Sequence, residues 1–212
     1  MILIVQNGLL GTYIQKYLDD EIDLVQIAKS NLDNINLDPY NLIIILGGHQ
    51  CVSQIILFPE LNKVISFMKK CVQMKKPIIG ICLGCHLIAH MMECKIEKSF
   101  YMSRGYNTTI SFDDKIYNNL FRCHSDYIVP NDKIEVLSTF DDKPYLIKAS
   151  GMIGIQCHPD IPPECISRFI NISVLKKTKD GNKIKDYDII DKENRELMQK
   201  LLKYARSLYD IQ

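Results

Sequence analysis

The chain lacks the features that would assign it to most large functional classes. No apolar run approaches membrane-spanning length. Neither sign of charge is in excess: the formal net charge is +1 over 212 residues, which gives no global pull toward nucleic acid or membrane. There is no internal repeat and no low-complexity tract. The opening Met1-Ile-Leu-Ile-Val has neither a basic flank nor a small-residue cleavage site, so it reads as a first strand and not as a signal peptide. The eight cysteines (residues 51, 71, 82, 85, 94, 123, 157 and 165) are scattered, several within apolar segments. A secreted disulfide scaffold would be shorter and denser in cysteine. Free, mostly buried thiols in a reducing cytoplasm fit better.

What is present is an apolar share of 47%, enough for one domain with a sizeable core. Residues 1–6, Ile22 to Ile27, Leu42 to Leu46 and Ile78 to Ile81 read as short buried strands. Leu10 to Leu18 can form a helix. Pro59 opens another, with Leu61, Val64, Ile65, Met68 and Val72 on one face, ended by Lys75-Lys76-Pro77. Such alternation predicts a mostly parallel sheet covered on both faces, with ligands at the carboxyl ends of its strands. From about Cys94 to Gln156 the pattern shifts to hairpins: Thr108–Phe112, Tyr127–Val129, Ile134–Thr139, Tyr145–Lys148 and Met152–Gln156. A helix is expected from Pro163 or Glu164 to about Leu175. A polar, basic loop follows over Lys176 to Lys185. A last helix comes after Asp191, with Leu197, Leu201, Ala205 and Leu208 on one face.

The most informative segment is Pro77-Ile-Ile-Gly-Ile-Cys-Leu-Gly-Cys-His86. An apolar run ends in Gly80-x-Cys82-x-Gly84, and a helix-compatible stretch follows. This is the pattern of a nucleophile elbow built on cysteine, with small neighbours letting the backbone pass. The helix start favours a thiolate. A cysteine nucleophile needs a base and a group that orients the base. Gly154-Ile-Gln-Cys-His158-Pro-Asp160 follows an apolar run, and Pro159 keeps His158 extended. Residues at i and i+2 then point the same way, so Asp160 can reach one ring nitrogen while the other faces a thiol. Asp160 also reads as a cap or turn residue ahead of Pro162-Pro163. An oxyanion needs two donors: Leu83 N–H follows the nucleophile, and Gly47-Gly48 closes a neighbouring strand. Losing one such donor typically costs about 3–4 kcal/mol of transition-state stabilisation. His49, His90 and His124 read as structural or exposed. Cys82-x-x-Cys85-His86 is literally a haem-attachment string, but that reading wants an exported protein and another fold. A zinc site from the same residues lacks a second, distant ligand pair.

These landmarks, taken in order, resemble the class I glutamine amidotransferases, in the style of stand-alone domains similar to the amidotransferase part of GMP synthase. Ile43-Ile-Ile-Leu-Gly-Gly48 resembles the oxyanion loop, and Gly80-Ile-Cys-Leu-Gly84 the cysteine elbow. Arg104-Gly105-Tyr106 resembles the Gly-aromatic segment whose backbone meets glutamine. His124-Ser-Asp126 resembles the His-x-Asp segment, and residues 154–160 the Gly-x-Gln-x-His-Pro-Glu block. The resemblance spans about residues 1–175, with residues 176–212 expected as a basic loop plus a helix packed on the same domain. It implies an α/β fold of three layers, with a flavodoxin-like, mostly parallel sheet and antiparallel additions in the second half. It implies Cys82 as nucleophile, His158 as general base and acid, Asp160 as orienting carboxylate, Gly48 and Leu83 as the oxyanion hole, and His86, Gly105 and Tyr106 as substrate contacts. No metal or cofactor is implied. The implied substrate is a γ-glutamyl amide such as glutamine, with ammonia passing to a separate synthetase subunit or being released. Three positions depart from the family: Asp160 stands for Glu, His86 for Gln, and Ser103 for Asn or Glu. The last two touch substrate recognition, so a γ-glutamyl peptidase, or a catalytically silent binding or regulatory relative, stands beside the glutaminase reading.

Overall fold

A computed structural model describes residues 1–7, 13–166 and 187–209. Its centre is a seven-stranded sheet with strands in the spatial order Ile22–Gln26, Ile2–Gln6, Leu42–Ile45, Ile78–Ile81, Met152–Ile155, Lys143–Ala149 and Glu135–Phe140. Strands β1 (Ile2–Gln6), β2 (Ile22–Gln26), β3 (Leu42–Ile45), β4 (Ile78–Ile81) and β9 (Met152–Ile155) run parallel. Strands β8 (Lys143–Ala149) and β7 (Glu135–Phe140) extend the sheet antiparallel. The three strands β1, β3 and β9 carry almost nothing but Ile, Leu, Val and Met, because both of their faces are buried. Their alternation is still read out in space. Leu3, Val5, Ile43, Ile45 and Ile78 join one core with Leu61, Val64, Met68, Leu87 and Ile88. Those partners come from helices α1 (Glu60–Gln73) and α2 (Leu83–Met91). Ile2, Ile4, Leu42, Ile44, Ile79, Ile81, Ile153 and Ile155 join the opposite core. There helix α4 (Tyr187–Ser207) supplies Leu197, Met198, Leu201, Leu202 and Ala205. Each such side chain, fully buried, contributes about 1.5–3 kcal/mol. This is the three-layer α/β architecture expected.

The second half differs in scale. Strands β5 (Lys95–Phe112) and β6 (Lys115–Val129) form a separate two-stranded antiparallel ribbon much longer than the short runs expected there. Its turn is Asp113-Asp114, both at positive φ (52° and 58°), and Asp141-Asp142 (50° and 56°) does the same between β7 and β8. Paired positive φ values match the twist of flanking strands, and Asp tolerates them at some cost where Asn-Gly is usual.

Two helix boundaries shift. Within the expected Leu10–Leu18 helix, residues 10–12 lie outside the described residues, and Tyr13–Tyr17 is a 3-10 turn. Ile14 and Tyr17 are its buried residues, and i,i+3 side chains eclipse in that geometry. The last helix begins at Tyr187, ahead of the expected start, because Ile190 and Asn194 extend its buried stripe; Asn194 donates to the Ile161 carbonyl at 3.3 Å. Helix α3 is described over Pro163–Ile166 only. Its expected continuation to Leu175 and the basic loop over Lys176 to Lys185 lie outside the described residues. No described helix is long and apolar enough to cross a membrane.

Candidate active site

Cys82 sits between β4 and α2 with φ 52° and ψ −102°. Its N–H donates to Ile155 O on β9 at 2.8 Å, and its own carbonyl accepts the His86 N–H at 3.1 Å, starting the helix. The turn closes because its neighbours are glycine. A Cβ on Gly84 would strike the Ile45 carbonyl of β3, and one on Gly80 would strike the Gly84 backbone. The Cys82 side chain therefore stands at the carboxyl edge of the sheet, 5% exposed, with the amino end of α2 behind it.

His158 and Asp160 arrive at the same edge on the segment after β9. The His158 N–H donates to Phe121 O on β6 at 2.7 Å, and its ring packs against the Phe121 ring at 5.9 Å. The Nδ1–H donates to Asp160 Oδ1 at 3.1 Å, with both side chains buried. The shorter aspartate thus reaches the ring at ordinary hydrogen-bond length. Burial opposes a charge on His158, but the neighbouring Cys82 and Asp160, with the hydrogen bond to Asp160, outweigh it and raise its pKa well above the ordinary value.

The loop after β3 closes the site from the other side. A Cβ on Gly47 would meet His158 Cε1 at 2.9 Å and Cys82 Cβ at 3.4 Å; one on Gly48 would meet Leu83 Cδ2 at 2.9 Å. Gly48 and Leu83 are thus brought together. Two residues that no sequence motif marked brace this loop. Asn7 Nδ2 donates to Leu46 O at 2.6 Å, and Gln50 Nε2 donates to Asn7 O at 2.9 Å.

A cavity of about 490 Å³ opens over Cys82. Gly48, Leu83, His86, His158, Cys123, His124 and Asp126 line it, together with Met102, Cys51 and Ser125. Asp126, 1% exposed, accepts the Ser53 N–H at 2.9 Å and the Ser53 hydroxyl at 2.6 Å. Nothing in the sequence paired Ser53 with Asp126, which lie 73 residues apart; the contact that fixes this carboxylate is purely tertiary. His124 bonds the Asp126 carbonyl through Nδ1 at 2.8 Å and the Tyr145 hydroxyl through Nε2 at 2.9 Å. A carbonyl only accepts, so Nδ1 carries the hydrogen and Nε2 accepts from tyrosine. Burial and the neighbouring His86 push the His124 pKa down to about 3. His86, 3% exposed, is also lowered by burial, partly offset by Asp126. Its Nε2 makes no hydrogen bond. Gly105 and Tyr106 do not line the cavity. Gly105 pairs with Arg122 in the ribbon, while the Tyr106 ring packs on Phe121 at 5.2 Å, behind His158. Ser103 accepts from Arg122 Nε at 2.9 Å. Among the described residues no cluster of His, Cys, Asp or Glu is arranged to hold a metal.

A mostly parallel sheet covered on both faces, with a strained cysteine at its carboxyl edge, a buried histidine–carboxylate pair and a glycine loop opposite, defines a three-layer α/β domain. Comparison with known proteins narrows the class. The model of the class I glutamine amidotransferase family matches residues 14–169, and the chain belongs to that family. A glutamine amidotransferase-like protein of Acanthamoeba polyphaga mimivirus is 44% identical over 97% of each chain. A pyridoxal 5'-phosphate synthase subunit of Francisella tularensis subsp. novicida is 22% identical over 65% of this chain and 78% of its own. In three dimensions, a glutamine amidotransferase from Thermotoga maritima superposes with a TM-score of 0.75 over 97% of both chains at 17% identity, which shows the shared fold.

Proposed function

We propose that the protein hydrolyses a γ-glutamyl amide through a thioester on Cys82. The observation that carries this reading is the single cluster of Cys82, the His158–Asp160 pair and the Gly48–Leu83 backbone on one cavity. The thiolate attacks the amide carbonyl carbon. The N–H groups of Gly48 and Leu83 receive the oxyanion. His158 gives its proton to the departing nitrogen, then takes one from the water that releases glutamate, while Asp160 holds the ring. Asp126, buried and aligned by Ser53, suits the substrate's ammonium group, and the unpartnered His86 Nε2 suits a polar atom beside it. Gly105 and Tyr106 act at one remove, the tyrosine backing Phe121 against His158. The protein works in the cytoplasm. A separate synthase subunit takes the ammonia, a reading supported by the relative that is itself a synthase subunit.

A second substrate class is favoured by one observation. The cavity volume falls in the range of about 300–1,000 Å³ typical of pockets for drug-sized ligands, more room than a free amino acid needs. A γ-glutamyl peptide or N-substituted amide would use it. The test is glutamate release from glutamine and from a panel of γ-glutamyl compounds, in wild type and Cys82→Ala. Glutamine turnover lost in the variant supports the first class; turnover confined to the substituted compounds supports the second. No release from any compound, and no labelling of Cys82 by a glutamine-like electrophile, would sink both.

A further inference from the structure

Three of the eight thiols share the cavity: Cys51, Cys82 and Cys123, all free. We infer that Cys82 and Cys123 form an oxidative modification site, in which Cys123 resolves the sulfenic acid of a peroxide-oxidised Cys82 into a disulfide. The inference rests on Cys82 being the reactive thiol, as proposed above.

The placement of Cys123 follows from β6. Phe121 packs on the His158 ring, and the Ser125 hydroxyl lies 3.6 Å from Cys51 Sγ. Alternation along a strand puts residue 123 on the same face as 121 and 125, between those two contacts. Cys82 Sγ lies 3.8 Å from the Cys123 carbonyl oxygen. A carbonyl oxygen stands about 2.4 Å from its own Cα, so the Cys123 Cα is within about 6 Å of that sulfur. Cys123 is half-buried, packed beside Phe121 and Ile161. The other sulfurs near Cys82 are unsuited. Cys85 and Cys157 are fully packed, and burial drives both thiols above their ordinary pKa, so neither supplies an attacking thiolate. Cys51 already engages the Ser125 hydroxyl at 3.6 Å.

The chemistry balances with hydrogen peroxide as oxidant. The Cys82 thiolate attacks one peroxide oxygen; an S–O bond forms, the O–O bond breaks, and the hydroxide takes the His158 proton to leave as water. Sulfur has lost two electrons and peroxide has gained them. The Cys123 thiolate then attacks the Cys82 sulfur. An S–S bond forms and the S–O bond breaks, and the second water carries away the proton from Cys123. The disulfide blocks the nucleophile reversibly and keeps it from the irreversible sulfinic acid.

The test treats the whole protein with dilute hydrogen peroxide, alkylates the remaining thiols, and maps peptides by mass spectrometry without reductant. The expected result is one crosslinked peptide joining Cys82 to Cys123, lost on dithiothreitol treatment with both thiols recovered. In Cys123→Ser, Cys82 should instead be trapped by dimedone and then accumulate as sulfinic acid, so that reductant-recoverable Cys82 falls from nearly all to nearly none. The wild-type map decides the matter alone if that variant folds poorly. Sulfinic acid on wild-type Cys82 with Cys123 still alkylated, a crosslink to Cys51, or a Cys82 untouched by peroxide would each overturn the inference. The readout is a peptide mass and not turnover. A protein that fails to cleave γ-glutamyl amides can still form this bond, and one that cleaves them can fail to form it.

Discussion

Cys82 holds a backbone conformation that few side chains accept, at φ 52° and ψ −102°. Strain of this kind costs about 1–3 kcal/mol and persists only where surrounding contacts impose it. Here β9 hydrogen-bonds one side of the turn and α2 starts on the other. Cys82→Gly removes the side chain and relaxes the strain, whereas Cys82→Ala removes the sulfur alone. The glycine variant should therefore be more stable than the alanine variant by about 1–2 kcal/mol in urea unfolding, with both inactive. Equal midpoints would mean the turn is not strained. Asp160→Asn keeps the shape but loses the charge that orients and stabilises protonated His158. Turnover should drop by about 10²–10⁴-fold, with little change in KM, in steady-state assays of whichever γ-glutamyl compound proves active. At this scale the sequence was most legible where chemistry is local. Cys82 lies among its own glycines, and His158 and Asp160 are two residues apart. Asn7 and Gln50 were not legible, and Asp126 was marked only by resemblance with no partner named, because their contacts with Ser53, Leu46 and one another form across the fold.

Packing between elements sets how close α2 can approach the sheet. Gly84 rests on the Ile45 carbonyl and Gly80 on the Gly84 backbone, so neither position has space for a methyl group. Gly84→Ala must push the helix off β3, and should destabilise the protein by about 1–3 kcal/mol in denaturant titration. Gly47→Ala meets His158 Cε1 and Cys82 Cβ, side-chain atoms at the site, and not the frame of the fold. Its loss should appear in turnover more than in unfolding midpoint, and the opposite order for the two variants would contradict this division. The parallel strands were readable because strands buried on both faces reduce to short apolar runs. The ribbon of β5 and β6 was not. It is polar on both sides over much of its length, its register shifts at several points, and its turn is an Asp-Asp pair without glycine. Gly105 and Tyr106, placed by motif at the substrate, lie within that ribbon, Gly105 opposite Arg122 and Tyr106 against Phe121.

For the whole molecule, the two neutral histidines buried at the cavity link folding to pH. His124 titrates near 6.5 when exposed but at about 3 in the folded chain. Between these values the unfolded state holds a proton that the folded state does not, so stability falls as pH falls through the window. From pH 7 to pH 5 the loss from His124 alone is about 2 kcal/mol. His86, lowered by burial as well, adds in the same direction. His158 is shifted the other way: its contribution is complete only below pH 6.5 and still grows as pH falls from 7, so it offsets part of the wild-type loss but cancels in the comparison with a His124 variant. The surface carboxylates held down by lysines, Glu93, Glu97, Asp113 and Glu196, act mainly below their ordinary values of 4.5 and 3.8, under this window. Urea unfolding of wild type at pH 7 and pH 5 should show the loss as a shift in midpoint at constant slope. His124→Asn keeps a donor for the Asp126 carbonyl but cannot titrate. It should start less stable at pH 7 and lose about 2 kcal/mol less than wild type on going to pH 5. An undiminished loss in that variant would show that His124 is not the buried neutral group, and would remove the tautomer assignment that makes Tyr145 its donor.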